Sequence, residues 1–308
     1  MSRYLSYVFL TREHQSWMMQ QCSHGATMAS LNQDIIKRIS LRLPPLPIQR
    51  RISSILSTYD DLIENNTRRI AVLEEMAQRL YEEWFVHLRF PGHEDVTFTE
   101  TEHGRVPEGW ERVELATLMD FKGGSQPPKS EWVKKAEDGY VRMVQIRDYA
   151  TDSHIAYVPD TKKLRKCEPL DVMIARYGAS VGRICWGLEG AYNVALVKVV
   201  PKKDRHREYL RSALSSHEIQ ELLIGMSGRA AQAGFNKSIL NSIFMMLPQE
   251  SGLVHKYDEF VSPLRRQTLN LRAKTDNFRT QHDLLLPKLV SGEIDVSEAN
   301  ETLEDAVA

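Results

Sequence analysis

Residues 31–47 read LNQDIIKRISLRLPPLP, and residues 235–251 read FNKSILNSIFMMLPQES. At a constant offset of 204, Asn32, Ile35, Ile36, Ile39, Leu43 and Pro44 fall on Asn236, Ile239, Leu240, Ile243, Leu247 and Pro248, and upstream Tyr4-Leu5 falls on Tyr209-Leu210 at 205. A single-residue gap reconciles the two. Each copy leads into a long charged segment with heptad periodicity, so the order of elements repeats along with the residues, and the repeat is architectural. By its periodicity the second copy is a short helix from Lys237 to Asn241 running into a strand.

The first long segment follows LPPLP, where proline disfavours helix, and runs IQRRISSILSTYDDLIENNTRRIAVLEEMAQRLYEEWF without Gly or Pro. This predicts one long helix. Its apolar seam is Ile52, Ile55, Tyr59, Leu62, Ile70, Leu73, Ala77, Leu80 and Trp84, with polar Asn66 where the spacing runs four and four, a local stutter. The second segment carries Val254, Tyr257, Val261, Leu264, Thr268, Leu271, Thr275, Phe278, His282, Leu285 and Leu289 at unbroken three-four spacing. Pro263 is expected to kink or reset its first turns. Each helix alone is too polar to bury itself, so the economical arrangement pairs the two antiparallel.

Residues 107–248 follow a different pattern. Short runs, YVRMVQI, HIAYVP, DVMIARYG, RICWGL and NVALVKVV, are bounded by Gly, Pro, Asp or Asn and predict strands, followed by helical REYLRSALSSHEIQELLIGM. The fold class is therefore α+β: one mixed α/β globular domain plus two long helices pairing as an antiparallel coiled coil. The expected organisation is residues 1–43 as the tail of a first domain whose front is missing, 44–106 as the first long helix and linker, 107–248 as a complete domain, and 249–308 as the second long helix and tail.

Composition narrows the function classes. A formal charge of −1 over 308 residues excludes a generic polycation, so a nucleic-acid surface has to come from local clustering. Cys22, Cys167 and Cys185 form no C-x-x-C pair, which fits reduced thiols in the cytoplasm better than a disulfide frame or zinc site. No run of eighteen apolar residues suggests a membrane span. There is no phosphate-binding G-x-x-x-x-G-K-[ST] loop, no N-P-P-[FY] methyltransferase motif and no Gly-rich cofactor loop, and Pro159-Asp160 is not followed by [DE]-x-K. His87, His93 and His103 lack metal-ligand spacing. These absences point to a chain with no catalytic site, cofactor or metal of its own.

The run LPPLPIQRRISSILSTYDDLIENNTRRIAVLEEMAQRLYEEWFVHLRFPGHE, then VPEGWE, then LLLPKLVSGEI, resembles the specificity subunits of type I restriction-modification systems across essentially the whole chain. The resemblance implies two target recognition domains, each followed by a long helix, with the helices pairing as a spacer. Here one recognition domain is complete, at 107–248, and residues 1–43 resemble only the end of another. The implied partners are double-stranded DNA, modification subunits that hold S-adenosylmethionine, and a restriction subunit driven by ATP with Mg. A homodimer regaining two readers is a further expectation, since residues 1–43 leave Tyr4, Leu5, Val8, Phe9 and Trp17 with too little core of their own. The rival readings are an assembly module that binds modification subunits without reading DNA, and a stand-alone nuclease.

The candidate DNA contacts lie in three loops and one strand. FKGGSQPPKSEWVKK sets Lys122, Ser125, Gln126, Lys129, Lys134 and Lys135 around glycines and prolines, where a rigid polar tip could enter a groove or simply face solvent. ARYGASVGR places Arg176 and Tyr177 before a Gly turn, with Ser180 and Arg183 beyond it. SGRAAQAGFNKS presents Arg229, Gln232 and Lys237 near an expected helix start that favours phosphate. Arg142, on a strand, points either to the duplex or into a salt bridge.

Overall fold

The computed structural model describes residues 2–21, 23–24, 29–30, 32–102, 104–227, 242–249 and 252–297. The chain forms two compact units, one of residues 1–70 with 270–308 and the other of residues 71–269. Both long helices are present, Leu46–Tyr81 with 36 residues and Gly252–Ser291 with 40, and each contributes to both units.

In the first unit, helices Ser2–Leu10 and Arg12–Gln21 precede a short helix Gln33–Lys37. Asn32 caps that short helix, its side chain accepting from the Ile35 N–H at 2.9 Å. One core gathers Tyr4, Tyr7 and Val8 with Ile52 and Leu56 of the first long helix and Leu286 and Leu289 of the second. Farther along the first helix Tyr59 meets Phe278 edge-on, with ring centroids 6.3 Å apart, so the two helices run antiparallel here. The helix Ser2–Leu10 thus finds more core than its sequence suggests. Tyr4 and Val8 are buried against the long helices, while Leu5, Phe9 and Trp17 are only half-buried.

The first seam differs from the sequence pattern at two positions. Leu56 is fully buried and Ile63 half-buried, whereas Leu62 is 41% exposed. With those residues the steps Ile52, Leu56, Tyr59, Ile63, Asn66, Ile70 keep three-four spacing, and the stutter at Asn66 is unnecessary. The helix Gly252–Ser291 also passes through Pro263 without a break in its helical assignment. Val261 and Leu264, on either side of the proline, pack into the core of the second unit, and that packing offsets the lost hydrogen bond.

In the second unit the end of the first long helix packs Ala77, Tyr81, Trp84 and Phe85 against Val254, Tyr257 and Val261. Tyr257 Oη donates to the Ala77 carbonyl at 2.8 Å and lies 2.8 Å from Ser212 Oγ. The helix widens into a π-type turn over Glu82–Val86 and stops at Leu88, whose φ of 59° is left-handed. The Arg89 N–H then closes onto the Glu83 carbonyl at 2.7 Å.

Two four-stranded sheets form the body of this unit. One is antiparallel in the order Ile184–Cys185, Val172–Ala175, Leu196–Pro201, Met119–Gly123. The other runs Tyr157–Pro159, Tyr140–Val144, Gly190–Tyr192, Lys166–Cys167, with its middle pair parallel. Phe244–Pro248, the strand end of the second echo, pairs antiparallel with Trp110–Glu114. The expected helical run after the sheets is two helices, Arg207–Ser215 and His217–Ser227, split at Ser216. The proposed helix Lys237 to Asn241 lies outside the described residues.

Candidate nucleic-acid interface

Lys122 is placed in strand Met119–Gly123, not in the loop its glycines suggest. It sits directly across from Lys198, and both side chains share one sheet face. Lys198 Nζ is neutralised by Asp171, whereas Lys122 is exposed. The chain then turns through Gly124, where a Cβ would stand 1.9 Å from the Asn193 carbonyl oxygen, so only glycine permits the approach. The Ser125 N–H donates to the Tyr192 carbonyl at 3.1 Å, and Tyr192 Oη donates to the Lys122 carbonyl at 3.0 Å.

This turn is bound to a second basic segment. Ser125 Oγ accepts from the Arg165 N–H at 3.1 Å and donates to the Lys163 carbonyl at 3.3 Å. Arg165 Nη1 donates to the Gly123 carbonyl. The stretch TKKLRK therefore brings exposed Lys162, Lys163, Arg165 and Lys166 to the Lys122 turn, with Lys166 paired to Asp160 at 2.7 Å. None of these four was singled out in the sequence. Four cations in five positions was the available signal, and it does not show which turn they join.

Arg176 completes the group from a third direction. Its N–H donates to the Ala195 carbonyl at 2.9 Å, and its Nη1 lies 3.5 Å from where a Cβ on Gly123 would be. The guanidinium carbon is 5.1 Å from the centroid of the Tyr177 ring, which is 41% exposed. Lys122, Ser125, Arg165 and Arg176 with stacked Tyr177 are thus gathered at one end of this sheet.

The remaining sequence candidates are separate from this group or less available to it. Gln126 and Lys129 are exposed, Lys129 on the short 3-10 turn Lys129–Glu131. Ser180 and Arg183 line a cleft with Ser215, Gln220 and Ile224, and Gln220 Nε2 donates to the Gly182 carbonyl at 3.0 Å. Arg142 is engaged with Asp152 at 3.2 Å and is 22% exposed. Nearby, Lys134, Lys135 and Arg147 line a separate cleft of about 730 Å³ with Asp152 and Tyr157. Arg229, Gln232 and Lys237 lie outside the described residues. Burial pushes the Cys167 thiol up to about 12 and the Cys185 thiol to about 11, so both are neutral packing groups at physiological pH.

The described residues thus present a mixed α/β domain with a cationic cluster at one end of a sheet, together with two long helices. Residues 2–75 match the family described as type I restriction modification DNA specificity domain. The type I restriction enzyme MjaIX specificity subunit of Methanocaldococcus jannaschii is 23% identical over 307 residues, covering 96% of this chain and 70% of that protein. The type I restriction enzyme HindI specificity subunit of Haemophilus influenzae is 22% identical over 336 residues, covering 88% of this chain and 72% of that protein. The crystal structure of a type I restriction-modification system S subunit from M. genitalium shares the fold with a TM-score of 0.62 at 14% identity, covering 93% of this chain and 72% of that one. The chain thus matches the DNA specificity domain of type I restriction modification over residues 2–75, and along most of its length it is similar to type I restriction enzyme specificity subunits.

Proposed function

We propose that this chain reads one half of a bipartite double-stranded DNA target with the domain of residues 107–248, and that modification subunits dock on its helices. Catalysis is then the partners' task in the cytoplasm: modification subunits hold S-adenosylmethionine, and a restriction subunit uses ATP and Mg. The observation that carries the reading is the proximity of Lys122, Ser125, Arg165 and Arg176 at one turn, where Arg165 is hydrogen-bonded to Ser125 and to the Gly123 carbonyl and Arg176 Nη1 approaches Gly123. Exposed cations on a rigid frame supply the phosphate contacts that position a protein on a duplex. Stacked Arg176 and Tyr177 supply a planar donor and an aromatic face suited to base edges. The names borne by the relatives, specificity subunits of restriction enzymes, agree with this role.

The test is equilibrium binding of the chain with its modification subunit to a pool of duplexes at several salt concentrations. Sequence-selective binding whose affinity falls with salt is expected. Stable association with the modification subunit and no discrimination among duplexes would replace this reading with an assembly module.

A further inference from the structure

Strand direction collects the polar and cationic groups of the second sheet at one end. Tyr140–Val144 and Gly190–Tyr192 are parallel, so Gln145 and Asn193 leave the sheet side by side, and the Asn193 N–H donates to the Val144 carbonyl at 3.1 Å. Lys166–Cys167 runs opposite to Gly190–Tyr192, which places Lys162, Lys163 and Arg165 at this same end, where the Tyr192 N–H donates to the Arg165 carbonyl at 3.1 Å. Tyr157–Pro159 runs opposite to Tyr140–Val144, so Asp152, Ser153 and His154 precede it at this end as well. Val133 pairs antiparallel with Tyr157, its N–H donating at 2.9 Å and its carbonyl accepting at 2.8 Å, and carries Lys134 and Lys135 in the same direction.

These groups form one row. From the Val133 segment to Arg165 it crosses four strand spacings of about 4.8 Å, about 19 Å in all, or about five to six base-pair steps of about 3.4 Å. The Lys122 turn, bonded to Arg165, stands at one end. At the other, exposed Lys134, Lys135, Arg147 and His154 line the cleft of about 730 Å³, whose acidic member Asp152 is already paired with Arg142 at 3.2 Å. Arg147 is oriented by its Nη2 donating to Gln145 Oε1 at 3.1 Å, and Gln145 is fixed in turn by its N–H donating to Asp148 Oδ2 at 3.0 Å. Asn193 lies between the two cationic groups and is half-buried. Its Oδ1 accepts from the Ala195 N–H at 3.2 Å, which leaves Nδ2 on the opposite side of the carboxamide.

We propose that a duplex lies across this end of the sheet, its phosphates held at the Lys122 turn and again in the cleft of Lys134, Lys135 and Arg147, with Asn193 between them contacting a base edge as a specificity-determining residue. The inference rests on the reading of this domain as a DNA reader, and adds where a second phosphate contact and a base contact fall. Two cationic groups on one rigid frame fix the register of a duplex, which a single group leaves free to pivot. An amide nitrogen held at the end of a strand supplies the donor that guanine O6 and N7, adenine N7 and thymine O4 accept in the major groove.

The test uses the full chain in complex with its modification subunit, titrated against a duplex pool at several salt concentrations. The triple variant Lys134→Ala, Lys135→Ala and Arg147→Ala is expected to bind every duplex at least about tenfold more weakly. Its slope of log affinity against log salt should fall by about 1.8, about 0.9 for each of two phosphate contacts. Asn193→Ser keeps an oxygen for the Ala195 N–H and withdraws the amide donor, and is expected to relax selection at one base pair by at least about fivefold with the salt slope unchanged. Acylation of lysines in the unsubstituted complex gives a readout that needs no variant, and Lys134 and Lys135 should become protected when duplex is added. Parent affinity and slope in the triple variant, or acylation of both lysines at an undiminished rate, overturns the cleft as a phosphate site. Parent preference at every position in Asn193→Ser overturns the base contact. If the parent complex selects among duplexes while these results hold, only this inference sinks. A parent complex that binds duplexes without selection, yet loses affinity and salt slope in the triple variant, sinks the reading of function and supports the cleft as a phosphate site.

Discussion

Tyr209 donates its hydroxyl to the Met246 carbonyl at 2.9 Å, joining the helix Arg207–Ser215 to the strand that ends the second echo. Burial holds the phenol well above its ordinary range, so it remains a neutral donor at physiological pH. Tyr209→Phe keeps the ring and strands the carbonyl, and is expected to cost about 1 kcal/mol in urea unfolding. Tyr4→Phe, removing the longer 3.3 Å bond to Arg42, should cost less than its counterpart. Equal losses would mean that the two anchors have the same strength despite their geometry.

Glu208 supports the same helix from below. It is 3% exposed, 3.1 Å from Arg211 Nε and 3.4 Å from Arg265 Nε of the second long helix. Both guanidinium groups lie over the Trp186 ring, at 4.6 Å and 5.4 Å, and Arg211 Nη2 also donates to the Leu170 carbonyl at 2.6 Å. Glu208→Gln removes a negative charge shared by two buried cations and is expected to cost roughly 3–5 kcal/mol. Removing the exposed pair Arg68 and Glu64 should change stability by less than about 0.5 kcal/mol. Chemical denaturation of the two variants side by side separates the cases.

The long helices were legible because heptad spacing survives in sequence, and the five β runs because each is short, apolar and bounded by turn residues. The errors arose where tertiary packing chose between neighbours. Leu56 and Ile63 take seam positions that Ile55 and Leu62 fill equally well by spacing alone, and Pro263 is carried by its packed flanks. Strand Met119–Gly123 was missed because its glycine end resembles a loop, and its pairing to Leu196–Pro201 is long-range. The DNA candidates Lys122, Ser125 and Arg176 were visible as cations and polar groups in Gly-framed segments. Their convergence with Arg165 depends on hydrogen bonds between segments about 40 residues apart, which no local pattern encodes.

His206, which precedes the helix Arg207–Ser215, gives the second unit a pH dependence. It is 4% exposed, and desolvation, then the charges of Lys203 and Arg205, hold its pKa below the ordinary 6.5. The unfolded chain therefore binds this proton first as pH falls. Its contribution is fully present above about pH 6.5 and is lost below it as pH drops through the folded value, with a limiting slope of about 1.4 kcal/mol per pH unit. His206→Gln should flatten the urea-midpoint profile between pH 6.5 and 5 relative to the parent. A variant profile parallel to the parent's would assign the acid sensitivity to other groups.

Arg165 and Arg176 reach the Lys122 turn from different segments, so their removal separates phosphate contact from base readout. Arg165 is exposed and anchored through one Nη to the Gly123 carbonyl, leaving the rest of its fork for phosphate. Arg165→Ala is expected to weaken binding to all duplexes alike and to reduce the slope of log affinity against log salt by about 0.9. Arg176 is half-buried and stacked on Tyr177, the arrangement suited to a base edge, and Arg176→Ala should cost about 1–3 kcal/mol on the preferred duplex only, relaxing selection at one position. Lys129→Ala, on an exposed turn of the loop after Lys122, should follow the Arg165 pattern with a smaller loss. The complex of each variant with the modification subunit is titrated against a duplex pool at two or more salt concentrations, with thermal unfolding to verify the fold. Unchanged affinity and slope in all three would remove this edge of the domain from the DNA interface and direct attention to the cleft of Lys134, Lys135 and Arg147.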